Sequence, residues 1–326
     1  MIGCLSMLFG EVLAGSSRAW FLDPWGLLVT LPLYLSHVLA LVLIAKRAGR
    51  ISLVSLYCLG MVFGLYEALL TKVLWAGYWD ATGAGFGKLA GISLAEFPML
   101  IFFWHPVMSF ILPVVAFQWL TTGRFAADHV SLIRLSKVKI GLLVLLAGLI
   151  STFLASGSNF NLVDANVAVI GSIALCWTLS RFAKGAQLSD LVFQRRGSFV
   201  LFGFIATMYL AMTFLVLPNH LPKEPIAYLS IIMSYVVAIW LFMRTKPKQA
   251  DADATEQVDP VAKRCFVALI VIYVASLNFW ITQPEHASNM LAVLYLALYG
   301  AGSLFFLLLV YRQLKPIIIP AKWRRS

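Results

Sequence analysis

Apolar runs of about 20 residues recur from one end of this chain to the other, and no other feature limits its fold as severely. A run of that length, wound as a helix, crosses the hydrocarbon of a bilayer. Nine such runs lie near residues 24–45, 51–75, 97–120, 139–156, 164–181, 198–217, 226–243, 264–282 and 289–311. Residues 2–15 form a tenth, shorter candidate. Inside hydrocarbon every backbone N–H and C=O must find a partner within the protein, which leaves helices as the reading of these runs. The expectation is an all-α polytopic transmembrane helix bundle of nine to ten spans. Residues 1–326 then form a single integral membrane domain, since no polar stretch is long enough for a separate soluble one. The longest, 244–263, reads as a polar cytoplasmic linker rich in Lys, Asp, Ala and Pro. Charged residues are 12% of the 326, well below the roughly 25% of soluble domains.

The net charge of +11 raises the question of a nucleic-acid partner, and the placement of the charge answers it. Most of the 25 basic residues fall in five clusters: Lys46/Arg47/Arg50, Arg124/Arg134/Lys137/Lys139, Arg181/Lys184/Arg195/Arg196, Arg244/Lys246/Lys248/Lys263/Arg264 and Arg312/Lys315/Lys322/Arg324/Arg325. Each cluster follows an alternate span. The opposite loops hold only Arg18, Lys88 and Lys223, with Lys72 near the end of a span. That is the positive-inside pattern of a multi-pass protein of the cell membrane. The clusters and the C-terminus are expected on the cytoplasmic side, against anionic headgroups of the lipid bilayer, with no nucleic acid. If 2–15 spans, the N-terminus is cytoplasmic as well. The beginning does not read as a signal peptide, because it lacks a basic n-region and Glu11 interrupts its apolar stretch.

Cys4, Cys58, Cys176 and Cys265 are isolated and mostly within spans, so they read as small apolar packing residues. No Cys/His spacing suggests a metal site, and no P-loop, HExxH, GxSxG or dinucleotide fingerprint is present. No metal and no cofactor are expected.

Ionisable residues placed where hydrocarbon should be carry the functional reading. Glu67 is one, in the run that begins at Ile51. Gly60, Gly64 and Glu67 fall at i, i+4 and i+7 and share one helical face, which Thr71 extends. Small residues let helices approach closely, so Glu67 is expected in a tight interface. His105 is the second, directly before Pro106 in a run that also holds Pro98 and Pro113, with Ser109 one turn below on the same face. Each lies about eight residues from the outer end of its span, or ~12 Å deep at 1.5 Å per residue. Adjacent antiparallel spans at that register bring the two side chains within hydrogen-bond or one-water reach. A glycine-rich loop, Ala76 to Ala95, joins the spans and begins beside Trp75, Tyr78 and Trp79.

Supporting polar positions are fewer. His37 sits near mid-membrane, either bonded to a neighbouring helix or as a ligand or proton carrier. Asn161 with Asp164 three residues on has the chemistry of a helix start, and the alternative is a polar lining to an outer cavity. Ser276 and Asn278 occupy the outer third of their span. Trp20, Phe21 and Trp25 read as an aromatic belt at the interface.

Around Glu67 and His105 the chain resembles the CAAX-protease and bacteriocin-processing (CPBP) group of intramembrane proteins. Those proteins show EExxxR, then FxxxH, then a later HxxxN. Here the first motif reads Tyr66-Glu67-Ala68-Leu69-Leu70-Thr71-Lys72, with tyrosine for the first glutamate and lysine one place beyond the arginine. The second reads Ile101-Phe102-Phe103-Trp104-His105, with the phenylalanine displaced, and no HxxxN follows inside a span. The resemblance covers about residues 51–120. It implies Glu67 as general base on a water and His105 as the group that orients it or stabilises the oxyanion; Tyr66, Ser109, His37, Asp164 and Asn278 read from their positions as supporting or substrate-binding groups. The substrate would be a lipid-phase peptide or small molecule. Three readings stay open: a CPBP-type hydrolase, active or silent; a proton-coupled transporter or permease; and a non-catalytic binding or assembly protein. A water-filled cavity at Glu67 and His105 separates the first from the last, and a path to both sides marks the second.

Overall fold

The computed structural model describes residues 1–70, 74–75, 88–89, 92–94, 96–126, 128–216, 218, 221–247, 256–257 and 260–318. Thr71, Lys72, most of the glycine-rich loop after Trp75, half of the linker 244–263 and the basic residues Lys322, Arg324 and Arg325 lie outside them. Among the described residues ten apolar helices carry the fold. They are α1 (Ile2–Val12), α2 (Gly26–Arg47), α3 (Leu53–Leu69), α4 (Phe97–Thr121), α5 (Lys137–Gly157), α6 (Leu162–Phe182), α7 (Arg195–Val216), α8 (Pro225–Arg244), α9 (Ala262–Ile281) and α10 (Pro284–Lys315). Eight are long and apolar enough to cross a membrane. The two shorter ones are α1 and α3.

Local sequence sets the helix ends. Pro98, Pro225 and Pro284 stand in first turns, where their missing N–H costs nothing. Asn161 caps α6 by accepting from the N–H groups of Val163 and Asp164, both at 3.0 Å, and Ser136 caps α5 by accepting from Lys139 N–H. Pro106 lies inside α4, and the twelve residues Leu100–Ile111 around it take the wider π-helical winding. That winding absorbs a residue that can neither donate nor fit the normal ladder, so α4 runs on through it.

The helices sort into an inner and an outer set. α1 is the extreme case: all but one of its eleven residues are buried. At about 16 Å it reaches only halfway across a 30 Å hydrocarbon layer. It lies against α2, α4 and α6 rather than spanning. α3 and α4 form the most extensive helix pair, and α5 pairs with α9 and α10 outside them. Trp20 departs from the belt expected of it. It is 1% exposed, and its indole N–H donates to Ser172 Oγ of α6 at 3.1 Å, whereas Trp25 is 48% exposed. The segment between α1 and α2 folds back into the bundle because Gly26 and Gly171 leave room for Trp20 and Phe21.

Four of the basic clusters meet at one end of the bundle. Arg47 donates to Phe193 O and Ser198 Oγ, and Arg50 to Phe242 O and Met243 O. Gly185 N–H donates to Thr121 O. Beside them His129 Nε2 lies 2.9 Å from Ile51 O and its Nδ1 2.7 Å from the Gln118 amide nitrogen. Gln118 donates to Nδ1, so Nε2–H donates to Ile51 O and the imidazole is held in one neutral tautomer. Burial pushes this imidazole below its usual range.

Candidate functional site

The small face of α3 is what creates the site. A Cβ on Gly60 would stand 2.5 Å from Pro106 Cα, and one on Gly64 would stand 3.0 Å from His105 Cβ. With hydrogens at both positions the two backbones touch, and Glu67, two turns beyond Gly60, faces His105. Glu67 Oε2 and His105 Nδ1 are 2.9 Å apart. The residues are 2% and 1% exposed.

Two further residues complete the cluster, and neither was singled out from the sequence. Tyr34 of α2 places its hydroxyl 3.1 Å from the same Glu67 Oε2 and in a short hydrogen bond with Glu11 Oε1 of α1. Glu11 Oε2 accepts from Ser16 Oγ at 2.7 Å and Ser17 Oγ at 2.8 Å, just past the end of α1. Ser109 Oγ lies 3.2 Å from His105 Nδ1, and Ser109 O accepts from Ser6 Oγ. α1 reaches this depth through Gly10. A Cβ there would fall 2.6 Å from Ser109 Oγ, and Gly10 O accepts the Trp104 indole N–H at 2.8 Å. The result is a chain of groups, Ser16/Ser17, Glu11, Tyr34, Glu67, His105, drawn from four helices. The signal for Glu11 was in the sequence, since it too is a carboxylate inside an apolar run. Tyr34 carried none.

Counting protons shows what this chain can do. A phenol has one proton and donates to one carboxyl at a time. Tyr34 contacts two. Both contacts are hydrogen bonds only when one of the two carboxyls is itself an acid. Either Glu11 donates to Tyr34, which donates to Glu67, or Glu67 donates to Tyr34, which donates to Glu11. The two arrangements differ by one concerted shift of two protons along the chain, with no heavy atom displaced. His105 Nδ1–H satisfies Glu67 Oε2 in both, and His105 Nε2 is buried with no hydrogen-bond partner.

The other residues expected to support the pair are placed as follows. His37 Nδ1 meets Leu33 O at 2.7 Å on its own helix. Its ring stacks on Phe63 at 5.3 Å and lies 4.0 Å from the Tyr66 ring. Phe63, fully buried, also abuts the rings of Tyr34 and His105. His37 is therefore adjacent to the chain through Phe63. Tyr66 points its ring at His37 and Tyr209, and its hydroxyl has no partner. Asp164 pairs with Arg18 at 3.6 Å on the exposed rim. Asn278 and Asn166 exchange amide hydrogen bonds of 2.8 and 3.2 Å that join α9 to α6. Asp164 and Asn278 thus direct their polar atoms to the rim and to another helix pair. Among the described residues no group of three or more His, Cys, Asp and Glu is arranged to hold a metal ion.

Comparison with known proteins gives the chain a family. The model of an uncharacterised membrane protein family matches residues 1–320, and the chain belongs to that family. It is similar to an uncharacterised protein of Archaeoglobus fulgidus, 29% identical over 311 residues, covering 94% of this chain and 95% of the relative. No solved structure matches it.

Proposed function

We propose that this membrane protein is a proton-coupled carrier of the cell membrane. Its proton-binding centre is the chain Glu11–Tyr34–Glu67–His105. The observation that carries the reading is the Tyr34 hydroxyl shared by two buried carboxyls. Buried ionisable groups in membrane spans mark ion and proton pathways. Ser16 and Ser17 lead to Glu11 from the end of the bundle away from the basic loops, and His105 Nε2 offers a free acceptor at the inner end. The centre is buried among the described residues, which suits a group that exchanges protons. The five basic clusters would face the cytoplasm and anionic headgroups, so the proton would enter from outside.

Infrared difference spectra between alkaline and acid pH test this. Wild-type protein should show a carboxylic-acid band that changes in both Glu11→Gln and Glu67→Gln. A band unaffected by either substitution would overturn the reading.

One observation favours a second reading. The Glu67–His105 contact of 2.9 Å is what a CPBP-type hydrolase uses to activate water. Burial weighs against it, since an attacking water needs access to Glu67. Tyr34→Phe separates the two: it breaks the shared hydroxyl and keeps the Glu–His pair. Proton exchange should fall at least tenfold in this variant, while a hydrolase would keep cleaving a lipid-phase peptide.

A further inference from the structure

A cavity of about 1020 Å³ lies on the other face of α4 from the polar chain. Its walls come from α1 (Leu5, Leu8), α4 (Phe103 through Leu120), α5, α6, α9 and α10. The volume is at the upper end of small-molecule sites, which run to about 1,000 Å³. Its long axis follows α4 for about 25 Å at 1.5 Å per residue, most of the thickness of a hydrocarbon layer. The lining is apolar almost throughout. Trp177 and Val267, both more than half exposed, stand at its edges, so it opens between helices onto the surface that meets lipid.

One feature distinguishes this cavity from a gap that any hydrocarbon would fill. At the end near the basic loops, Arg312 and Gln313 of α10 line it. Arg312 is exposed and at the level of a lipid headgroup, where a guanidinium binds phosphate oxygens in pairs.

We propose that this cavity is a binding site for one membrane lipid with an anionic phosphate headgroup. The headgroup sits at Arg312, and the chain lies along α4 between Phe103 and Leu120. The site is independent of the proton reading, because its lining includes none of Glu11, Tyr34, Glu67 and His105. It shares walls with the polar chain, however. Leu8 and Phe9 of α1 border the cavity while Gly10 and Glu11 border the chain, and Met108 of α4 borders the cavity while Ser109 borders the chain.

Native mass spectrometry of the full chain, delipidated and returned to phosphatidylglycerol or phosphatidylcholine, tests the proposal. Wild-type protein should retain one phosphatidylglycerol at least tenfold more readily than phosphatidylcholine. Arg312→Gln, at an exposed position, should abolish the preference and keep a monodisperse protein. Ala147→Phe, which narrows the cavity from its wall, should weaken retention of both lipids severalfold. Ala147→Leu, a smaller intrusion, should weaken it less and guards against misfolding in the bulkier variant. Equal retention of the two lipids by wild type, or unchanged retention in both Arg312→Gln and Ala147→Phe, would overturn it.

Discussion

α4 and α7 are nearly equal in hydropathy, with most apolar windows averaging 2.0 and 2.2, yet their surroundings are opposite. In α4, 83% of that window is buried inside the protein; in α7, 17% is. One helix is enclosed by other helices and the other is mostly turned outward. The polar side chains follow the same division. In the outer helices a half-buried serine answers the backbone of its own helix, as Ser230 does with Ala227 O and Ser234 with Ser230 O. In the inner set the bonds cross from helix to helix: Glu11 to Tyr34, Tyr34 to Glu67, Glu67 to His105, Ser6 to Ser109. Hydrocarbon offers no hydrogen bonds, so a side chain facing lipid must be satisfied locally. Only an enclosed one can wait for a partner from elsewhere. Interhelical polar contacts therefore collect in the inner set, and the outer helices hold one another mainly by van der Waals packing.

Substitutions in matched pairs put this contrast to the test. The largest effect is expected at the buried Glu67–His105 contact. His105→Ala leaves Glu67 buried beside a void and should cost about 3–5 kcal/mol, the usual penalty for removing one partner of a buried pair. Glu67→Met with His105→Leu should recover most of that loss in a thermal or denaturant unfolding series. If the single variant is as stable as wild type, the inner set does not depend on its polar contacts. Next comes backbone approach. Gly60→Val forces a side chain onto Pro106 and should cost about 1–3 kcal/mol or more. Gly203→Val on α7, where a Cβ would meet nothing within 4 Å, should leave the melting temperature unchanged. Equal effects at the two glycines would erase the distinction between inner and outer helices.

His129 sharpens the contrast at the basic end. Its neutral imidazole holds Gln118 and Ile51, and burial lowers its proton affinity in the folded state below the ordinary imidazole value of about 6.5. The unfolded chain therefore binds the extra proton more readily. The stabilisation is fully present above that value and is lost as pH falls through it toward the lower, folded value. Unfolding followed from neutral to acid pH should show this decline, and His129→Gln should flatten it. A profile identical in the variant would remove His129 as the cause. The smallest effect is expected for the one amide exchange in the outer set. Asn278→Leu should cost about 0.6 kcal/mol, the average found for interhelical hydrogen bonds in a membrane. A loss as large as that of His105→Ala would mean that the outer helices, too, are held by polar contacts.

Much of the site was legible from residue order. The small face of α3 and the matching depths of Glu67 and His105 predict their approach, and both are local properties of periodicity and rise per residue. His37 was legible only as a buried polar group, because its neighbours Phe63 and Tyr66 are apolar or aromatic residues that hydropathy does not distinguish. Asp164 and Asn278 were grouped with the site by depth alone. Depth is one coordinate of three, and they stand at the right height on other helices. Glu11 was hidden by the shortness of its run, which is too short to span and thus drew attention to the ends of the protein rather than its interior.

The sequence by itself determined that this is a multi-pass helical membrane protein, where most of its spans lie, and which two helices carry an acid and an imidazole at one level. Local rules suffice for that: a helix satisfies its own backbone, and a 20-residue apolar run is long enough to cross a bilayer. Only the tertiary structure decided which helices lie inside. It alone placed the half-length α1 among them, brought Tyr34 between two carboxyls and left a cavity along the far side of α4. The reason is physical. Lipid chains and leucine side chains are equally apolar, so hydropathy records that a residue leaves water and is silent on whether lipid or protein receives it.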